Sequence, residues 1–332
     1  MPEEIMAISN DILSTTLRIL LDEEVDNLFK ATPLLNEMRK SGGIETYDGG
    51  QKLNIPLILA EHSQITQLSN GYEPVNLAVK DALRQAEYNW CDFVAPVVIT
   101  KKEELSNRGE RAIVNIAEAR MKSVMGMLQR EVEKQIVADD SSILSELQTL
   151  KASATRANGG FLAHQAGGSV GGISTSTFST YNNQYKSQAG AVAIPDMVDL
   201  YIQCQANTPG GGSPNVILSS ATAYQKYKEL LFANERFMAE DSLDGGRLSL
   251  MFHGARMYYD PFMDNQVDSN AKEIFMYFLN TDHLKLGFDS SAQFEMEDFE
   301  SISGYASRSA NIFTRMQMYV DHLGAHGLYS SN

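Results

Sequence analysis

Two β-rich runs, Gly49 to Ala60 and Gln85 to Lys101, flank a turn signal at Ser69-Asn70-Gly71-Tyr72-Glu73-Pro74. From Lys102 to about Val137 the pattern becomes helical and stays so. An extended hairpin followed at once by a long amphipathic helix is a demanding combination. Between the arms, residues 61 to 84 are polar, with Gln64, Gln67, Asn70, Glu73, Asn76, Lys80 and Asp81, so little there can bury a core of its own. Such a hairpin must lie on something, and a second copy of the same chain is the most economical surface. The helix carries Ile113, Ile116, Ala117, Arg120, Val124, Leu128, Val132 and Ile136 at steps of three and four. Unbroken from Glu103 to Val137, it would span roughly 50 Å. Gly109 and Gly126 are the places where it would break.

The flanks are more ordinary. Residues Ile8 to Met38 predict one or two helices through Ile12, Leu13, Thr16, Leu17, Leu20 and Leu21, continued by Val25, Leu28 and Phe29, with Pro33 opening a new segment. That narrow stripe suits either an arm on a neighbour or a helix on its own domain. Pro56 cannot donate to a ladder and marks an edge or bulge, and Pro96 interrupts the return arm. From Asp139 to Ala193 the chain turns to Ser, Thr, Gly, Ala and Asn, and Gly167-Gly168 and Gly171-Gly172 mark turns. After Ile194 a helix, a buried strand at Val216 to Ser220 and a second helix follow. Strands are expected at Leu248 to Tyr259, Ile274 to Asn280, His283 to Phe288 and Ile312 to Val320. Regular βα alternation is missing, so this half is α+β.

The chain has 332 residues and a net charge of −15, which argues against neutralising phosphates as a mode of binding, and no Lys/Arg-rich run occurs. Cys91 and Cys204 stand far apart without ligand spacing, as expected of a reduced, cytoplasmic folding compartment. Met1-Pro2-Glu3-Glu4 is acidic where a secretory leader is basic, and the apolar runs fall far short of a membrane span. A soluble protein is the expectation.

Catalytic patterns were tested against what the chemistry requires. Gly167-Gly168-Ser169-Val170-Gly171 spells a nucleophile elbow, which needs a strand before Ser169 and a helix after it. Phe161 to Ala166 is a poor strand and Gly/Ser-rich sequence follows, so a turn is expected. A hydrolase using Ser169 would also need His253, His283, His322 or His326 nearby. His322 and His326 stand four apart, but Gly324 and Gly327 break the helix that would align them on a metal. Asp264, Asn265, Asp268 and Asn270 evoke a calcium loop that lacks its glycine and its closing carboxylate. The acidic run Glu295 to Glu300 predicts a charged edge strand. Met121, Met125, Met127, Met316 and Met318 predict core and interface filler. No catalytic, cofactor or metal constellation is expected.

The order of parts resembles the major capsid proteins of tailed double-stranded-DNA bacteriophages. Ile55-Pro56-Leu57 with Gly71-Tyr72-Glu73 looks like the family's extended loop, and Ala86-Glu87-Tyr88-Asn89-Trp90 is similar to its return arm. Asn107-Arg108-Gly109 opens the counterpart of the spine helix. Gly171-Gly172-Ile173 leads into a connector that carries Tyr181-Asn182-Asn183 where some relatives have tryptophan before asparagine. Tyr224-Gln225-Lys226-Tyr227, Phe252-His253-Gly254-Ala255, Tyr259-Asp260-Pro261, Met276 to Thr281 and His326-Gly327-Leu328 resemble the axial domain. The resemblance implies an α+β tailed-phage capsid fold in four parts: an N-terminal arm (1–42), a hairpin loop with its return arm (43–101), a peripheral domain with spine helix and connector (102–193), and an axial domain (194–332).

It further implies a structural, non-enzymatic protein that assembles with itself into hexamers and pentamers of an icosahedral virion shell, made in the host cytoplasm. Double-stranded DNA would be enclosed without sequence-specific contacts. The expected partners are a separate scaffolding protein (the first helix is expected to begin within the first residues, leaving no room for a cleaved segment), a portal and a decoration protein. An encapsulin-like compartment is the alternative within the fold. The hairpin tip, Gln64, Gln67, Asn70, Gly71, Tyr72 and Glu73, is the expected intersubunit contact.

Overall fold

The computed structural model describes residues 10–59, 67, 83–106, 110–138, 147–151, 160–162, 168–178, 181–188, 192–233, 241–242, 248–264, 266–267 and 273–331. The chain runs through α1 (Asn10–Ala31), α2 (Pro33–Lys40), β1 (Ile44–Tyr47), β2 (Lys52–Ile58), β3 (Leu83–Asn89), β4 (Cys91–Thr100), α3 (Lys101–Ser106) and α4 (Glu110–Val137). Short strands follow: β5 (Thr149–Lys151), β6 (Gly160–Leu162), β7 (Ser169–Val170), β8 (Ile173–Ser174) and β9 (Gln184–Gln188). Then come α5 (Ile194–Ala206), β10 (Val216–Ser219), α6 (Ala221–Ala233), β11 (Asp241–Ser242), β12 (Leu248–Phe252), β13 (Ala255–Tyr259) and β14 (Ile274–Leu279). The chain closes with β15 (Leu284–Asp289), β16 (Glu295–Met296), β17 (Glu300–Ser301), β18 (Ser307–Val320) and β19 (Gly327–Ser331).

Two mixed sheets organise these elements. A seven-stranded sheet has the order β11-β12-β13-β10-β14-β19-β9. Its central strands are buried on both faces. Val216 and Leu218 of β10 join one core, while Ile217 between them joins a second with Met197, Leu200, Phe252 and Phe278. A six-stranded sheet is built around β18, whose 14 residues pair with β15, β16 and β17 on one side and with β4 on the other. α4 packs across β4, and α1 packs on α4.

The helical pattern from 102 to 137 is divided between α3 and α4, with residues 107–109 outside the described set, while Gly126 lies within continuous helix. α4 is 28 residues long and buries Ala117, Met121, Met125, Leu128, Val132 and Ile136. One sequence expectation changes here. Arg120 is exposed and ion-paired with Glu103 instead of joining the stripe; of the methionines expected as core and interface filler, Met121 and Met125 are buried and Met127 is 72% exposed. The stripe at the N terminus is buried within the chain. Leu17, Leu21, Leu28 and Phe29 are covered, and the Phe29 ring meets Phe288 and Phe294 edge-on at 6.1 and 6.4 Å.

The return arm also divides. β3 pairs with β2, but after Trp90 the chain enters the six-stranded sheet, and β4 pairs with β18 in unbroken register from Cys91↔Met316 to Thr100↔Ser307. The dense apolar run at 91–99 is therefore a sheet strand, with Ala95, Val97 and Ile99 buried under α4. The acidic run contributes β16 and the start of β17 with a link between them, and along it Met296 and Phe299 are buried while Glu295, Glu297, Asp298 and Glu300 face solvent. Its phase is that of a charged edge.

Candidate intersubunit surface

β2 and β3 form a two-stranded arm in strict register from Lys52↔Asn89 to Ile58↔Leu83. One face carries Leu53, Ile55, Leu57, Ala86 and Tyr88, all buried. The arm base thus lies on its own chain, which corrects the expectation that the hairpin as a whole rests on another copy. At the far end of that inner face the Arg84 guanidinium sits over the Phe178 ring at 5.7 Å. The outer face carries Lys52, Asn54, Pro56 and Ile58 opposite Leu83, Gln85 and Glu87. Its last pair is apolar: Ile58 is 75% exposed and Leu83 66% exposed. A cross-strand apolar pair exposed at the end of a two-stranded ribbon adds little to the ribbon by burial.

The connector clamps the arm. Gly171, at φ +56°, lies against β3 so closely that a Cβ there would meet Ala86 Cβ and Tyr88 Cζ at 2.9 Å. The Glu87 N–H donates to the Gly171 carbonyl at 2.9 Å. That bond shows the Glu87 N–H pointing away from β2, so by alternation the nitrogen of Pro56, two residues from Asn54, also points outward and no ladder bond is lost. Tyr88, reaching in from the arm, is fully buried beside Tyr181, and burial holds the hydroxyls of both well above the usual tyrosine range or up to about 12. They are packing groups that stay neutral.

The same connector decides the fate of Ser169. It sits exposed in β7 and pairs with Ser174 of β8 across the Gly171-Gly172 turn. Strand–turn–strand replaces the strand–turn–helix that an elbow requires. His253 lies in the β12–β13 turn, and His283, His322 and His326 lie between the two sheets. The four-residue spacing of His322 and His326 is occupied by a 3-10 turn, Leu323–Ala325. Asp264 accepts bonds from the Ala221 N–H and the Tyr259 hydroxyl, while Asn265, Asp268 and Asn270 lie outside the described residues. Among the described residues no group of three or more His, Cys, Asp or Glu is placed to hold a metal, and no helix is long and apolar enough to cross a membrane.

An open cleft of about 420 Å³ at the arm base is lined by Lys52, Trp90, Asp92 and Arg315 among others. Its cations are already neutralised. Lys52 pairs with Glu87 at 2.9 Å, and Arg315 grips Asp92 through two bonds of 2.6 and 3.1 Å. It offers no free charge to a ligand.

Of the predicted contact residues, Gln67 is described and exposed; Gln64, Asn70, Gly71, Tyr72 and Glu73 lie outside the described residues. Ile58 and Leu83 were not among the expected contact residues. The signal was available in the alternation, since in Leu53-Asn54-Ile55-Pro56-Leu57-Ile58 an apolar residue falls in the polar phase.

No family model matches the chain, and no curated protein matches it. Solved structures do match. A chain of the capsid asymmetric unit of cyanophage A-1(L) matches with a TM-score of 0.63 at 14% identity, over 90% of this chain and 92% of that one. The capsid of a native GTA particle matches at 0.54 and 12%, over 91% and 96%. The SrpI encapsulin complex from Synechococcus elongatus matches at 0.54 and 11%, over 90% and 88%. The fold is that of tailed-phage capsid proteins, and an encapsulin shares it.

Proposed function

We propose that this chain is the repeating subunit of a closed icosahedral shell, assembled with itself as hexamers and pentamers around double-stranded DNA in a virion. The observation that carries the reading is the arm, which spends its inner face on its own chain and leaves Ile58 and Leu83 exposed at the end from which the 60–82 segment departs. In a heterologous contact that segment, with Gln64, Gln67, Asn70, Gly71, Tyr72 and Glu73, lies on the next subunit, and repetition of the contact closes a ring. The four-part division at 42, 101 and 193 belongs to the same reading. The net charge of −15 keeps the wall from adhering to packaged DNA, so DNA is confined without being recognised. Scaffolding, portal and decoration proteins are the partners, and assembly takes place in the bacterial host cytoplasm.

Negative-stain microscopy and light scattering of the purified protein, with and without a candidate scaffold, test this. Closed particles or rings of five and six are expected. Deleting residues 62–82 is expected to leave a folded, soluble monomer or small ring that no longer closes. A full-length protein that stays monomeric with and without scaffold would sink the proposal. The likeness to an encapsulin supports a second reading, a protein compartment without a genome. Nuclease-protected DNA inside particles from the native source distinguishes the two.

A further inference from the structure

Two passages between the sheets run side by side. Residues 280–283 carry the chain from β14 in the seven-stranded sheet to β15 in the six-stranded one, and residues 321–326 carry it back from β18 to β19. Three of the chain's six histidines stand in these passages: His283, His322 and His326. The passages are bonded to each other. The Asn280 N–H donates to His326 Nδ1 at 3.3 Å, the Asp321 N–H donates to the His283 carbonyl at 3.2 Å, and His283 Nδ1 meets Asp321 Oδ1 at 2.7 Å. The surrounding elements complete the seat. His322 Nε2 donates to the Asn207 carbonyl at the end of α5 at 2.7 Å, and the Gln184 N–H of β9 donates to the His326 carbonyl at 2.8 Å.

We propose that this pair of crossovers is a proton-operated hinge, in which protonation of His326 turns the acceptor of the Asn280 N–H into a second donor, removes one of the three bonds between the crossovers and loosens one against the other. Accepting at Nδ1 requires the neutral ring with its hydrogen on Nε2. A proton on Nδ1 sets N–H against N–H and places a charge in a site that is 1% exposed. The groups facing it offer little compensation. The His283 carbonyl favours the charged ring, the His283 and His322 rings, whose centroids lie 5.9 Å apart, oppose it, and Asp321 is already bonded to His283; Asp282 stands in the same turn, and the Cys204 thiol of α5, beside Gly327, is kept neutral by burial. The Tyr88 and Tyr181 hydroxyls face Asp321 from the arm and connector.

Burial, reinforced by His283 and His322, pushes His326 down to about 3 in the closed hinge. In an opened hinge the ring returns to about 6.5. Between those values opening takes up a proton, so the open population grows about tenfold per pH unit as pH falls. His322 is also lowered by burial and adds in the same direction. The inference uses the fold alone and stands whether or not the shell reading does.

Hydrogen exchange of the full chain between pH 6.5 and 4, corrected for intrinsic chemistry, tests it. In the wild type the protection of amides in 280–284 and 321–327 is expected to fall with pH, while β10 and β14 keep theirs. His326→Gln retains an acceptor that does not titrate and is expected to flatten the fall by about tenfold per unit. An unchanged slope in that variant, or protection lost evenly over both sheets, overturns the hinge. Should His326→Gln not fold, His322→Gln decides. Most of the slope is expected to persist there, and its disappearance would show that His326 is not the operator.

Discussion

At Gly171 a single methyl group is enough to unseat the arm. Its φ of +56° already disfavours any L side chain, and its Cβ would sit 2.9 Å from both Ala86 and the Tyr88 ring. Gly172 has the same kind of backbone, φ +76°, but faces open space. Urea titration of Gly171→Ala is therefore expected to show a loss of about 3 kcal/mol, against about 1–2 kcal/mol for Gly172→Ala. Equal losses would mean that the connector does not grip β3. Polar staples elsewhere do comparable work. Glu37 on α2 accepts from Arg256 at 3.2 and 3.3 Å and from the Tyr258 hydroxyl at 3.2 Å, tying the N-terminal helices to β13. Glu37→Ala leaves that hydroxyl without its partner and is expected to cost about 1–3 kcal/mol, read from the same titration. On the six-stranded sheet, Glu45 accepts from Lys285 of β15, from Tyr319 of β18 and from Tyr47, its neighbour on β1.

Among the elements, the β2–β3 arm and β4, an edge strand of the six-stranded sheet, end differently. The Lys101 N–H bonds to the Ala306 carbonyl, which sets the phase of the β4–β18 ladder. By alternation the nitrogen of Pro96 points to the outer edge, where its missing N–H removes a donor, and the Thr100 N–H of that edge is taken by Glu103 at 3.0 Å. β4 is thus closed to strand addition at two points. The arm carries the same proline device at Pro56 and has its Glu87 N–H taken by Gly171, but it ends on the exposed Ile58 and Leu83. Replacing both by serine is expected to leave the subunit within about 0.5 kcal/mol of wild type by urea titration, because neither side chain is buried in it. Assembly is expected to suffer strongly, since each would bring about 1.5–3 kcal/mol to an interface that buries it. A double variant that closes into particles at the wild-type protein concentration would remove these two residues from the contact.

For the whole molecule the titrating groups divide stability into two acid windows. His326 and His322 are lowered by burial, so the unfolded chain binds protons that the native state refuses; their contribution is complete above about pH 6.5 and drains away on acidification, for His326 down to about 3. Glu45 is held down to about 2 by its bond from Lys285, with the two tyrosine hydroxyls adding, and its contribution is lost as pH falls from the unfolded value of 4.5 toward 2. Denaturant midpoints are expected to decline between pH 6.5 and 4 in the wild type and to decline less in His326→Gln, while both lose the Glu45 contribution as pH falls below about 4.5. A wild-type midpoint that is flat from pH 7 to 4 would contradict this. What local pattern could determine, the sequence by itself determined: Met197 to Cys204, Val216 to Ser219 and Ile274 to Leu279 were legible from propensity, period and turn residues, as was the edge role of Pro56, because a missing N–H has the same meaning in any sheet. The order of parts carried the fold. Tertiary structure alone decided which surface each apolar face would meet. Leu17 and Leu28 could have covered a neighbour as well as their own chain, the run from Tyr88 to Ile99 could have been one arm, and three histidines spread from 283 to 326 had no reason to meet. Burial is not directional and long-range pairing leaves no local trace, so only the closed packing of the two sheets assigns those partners.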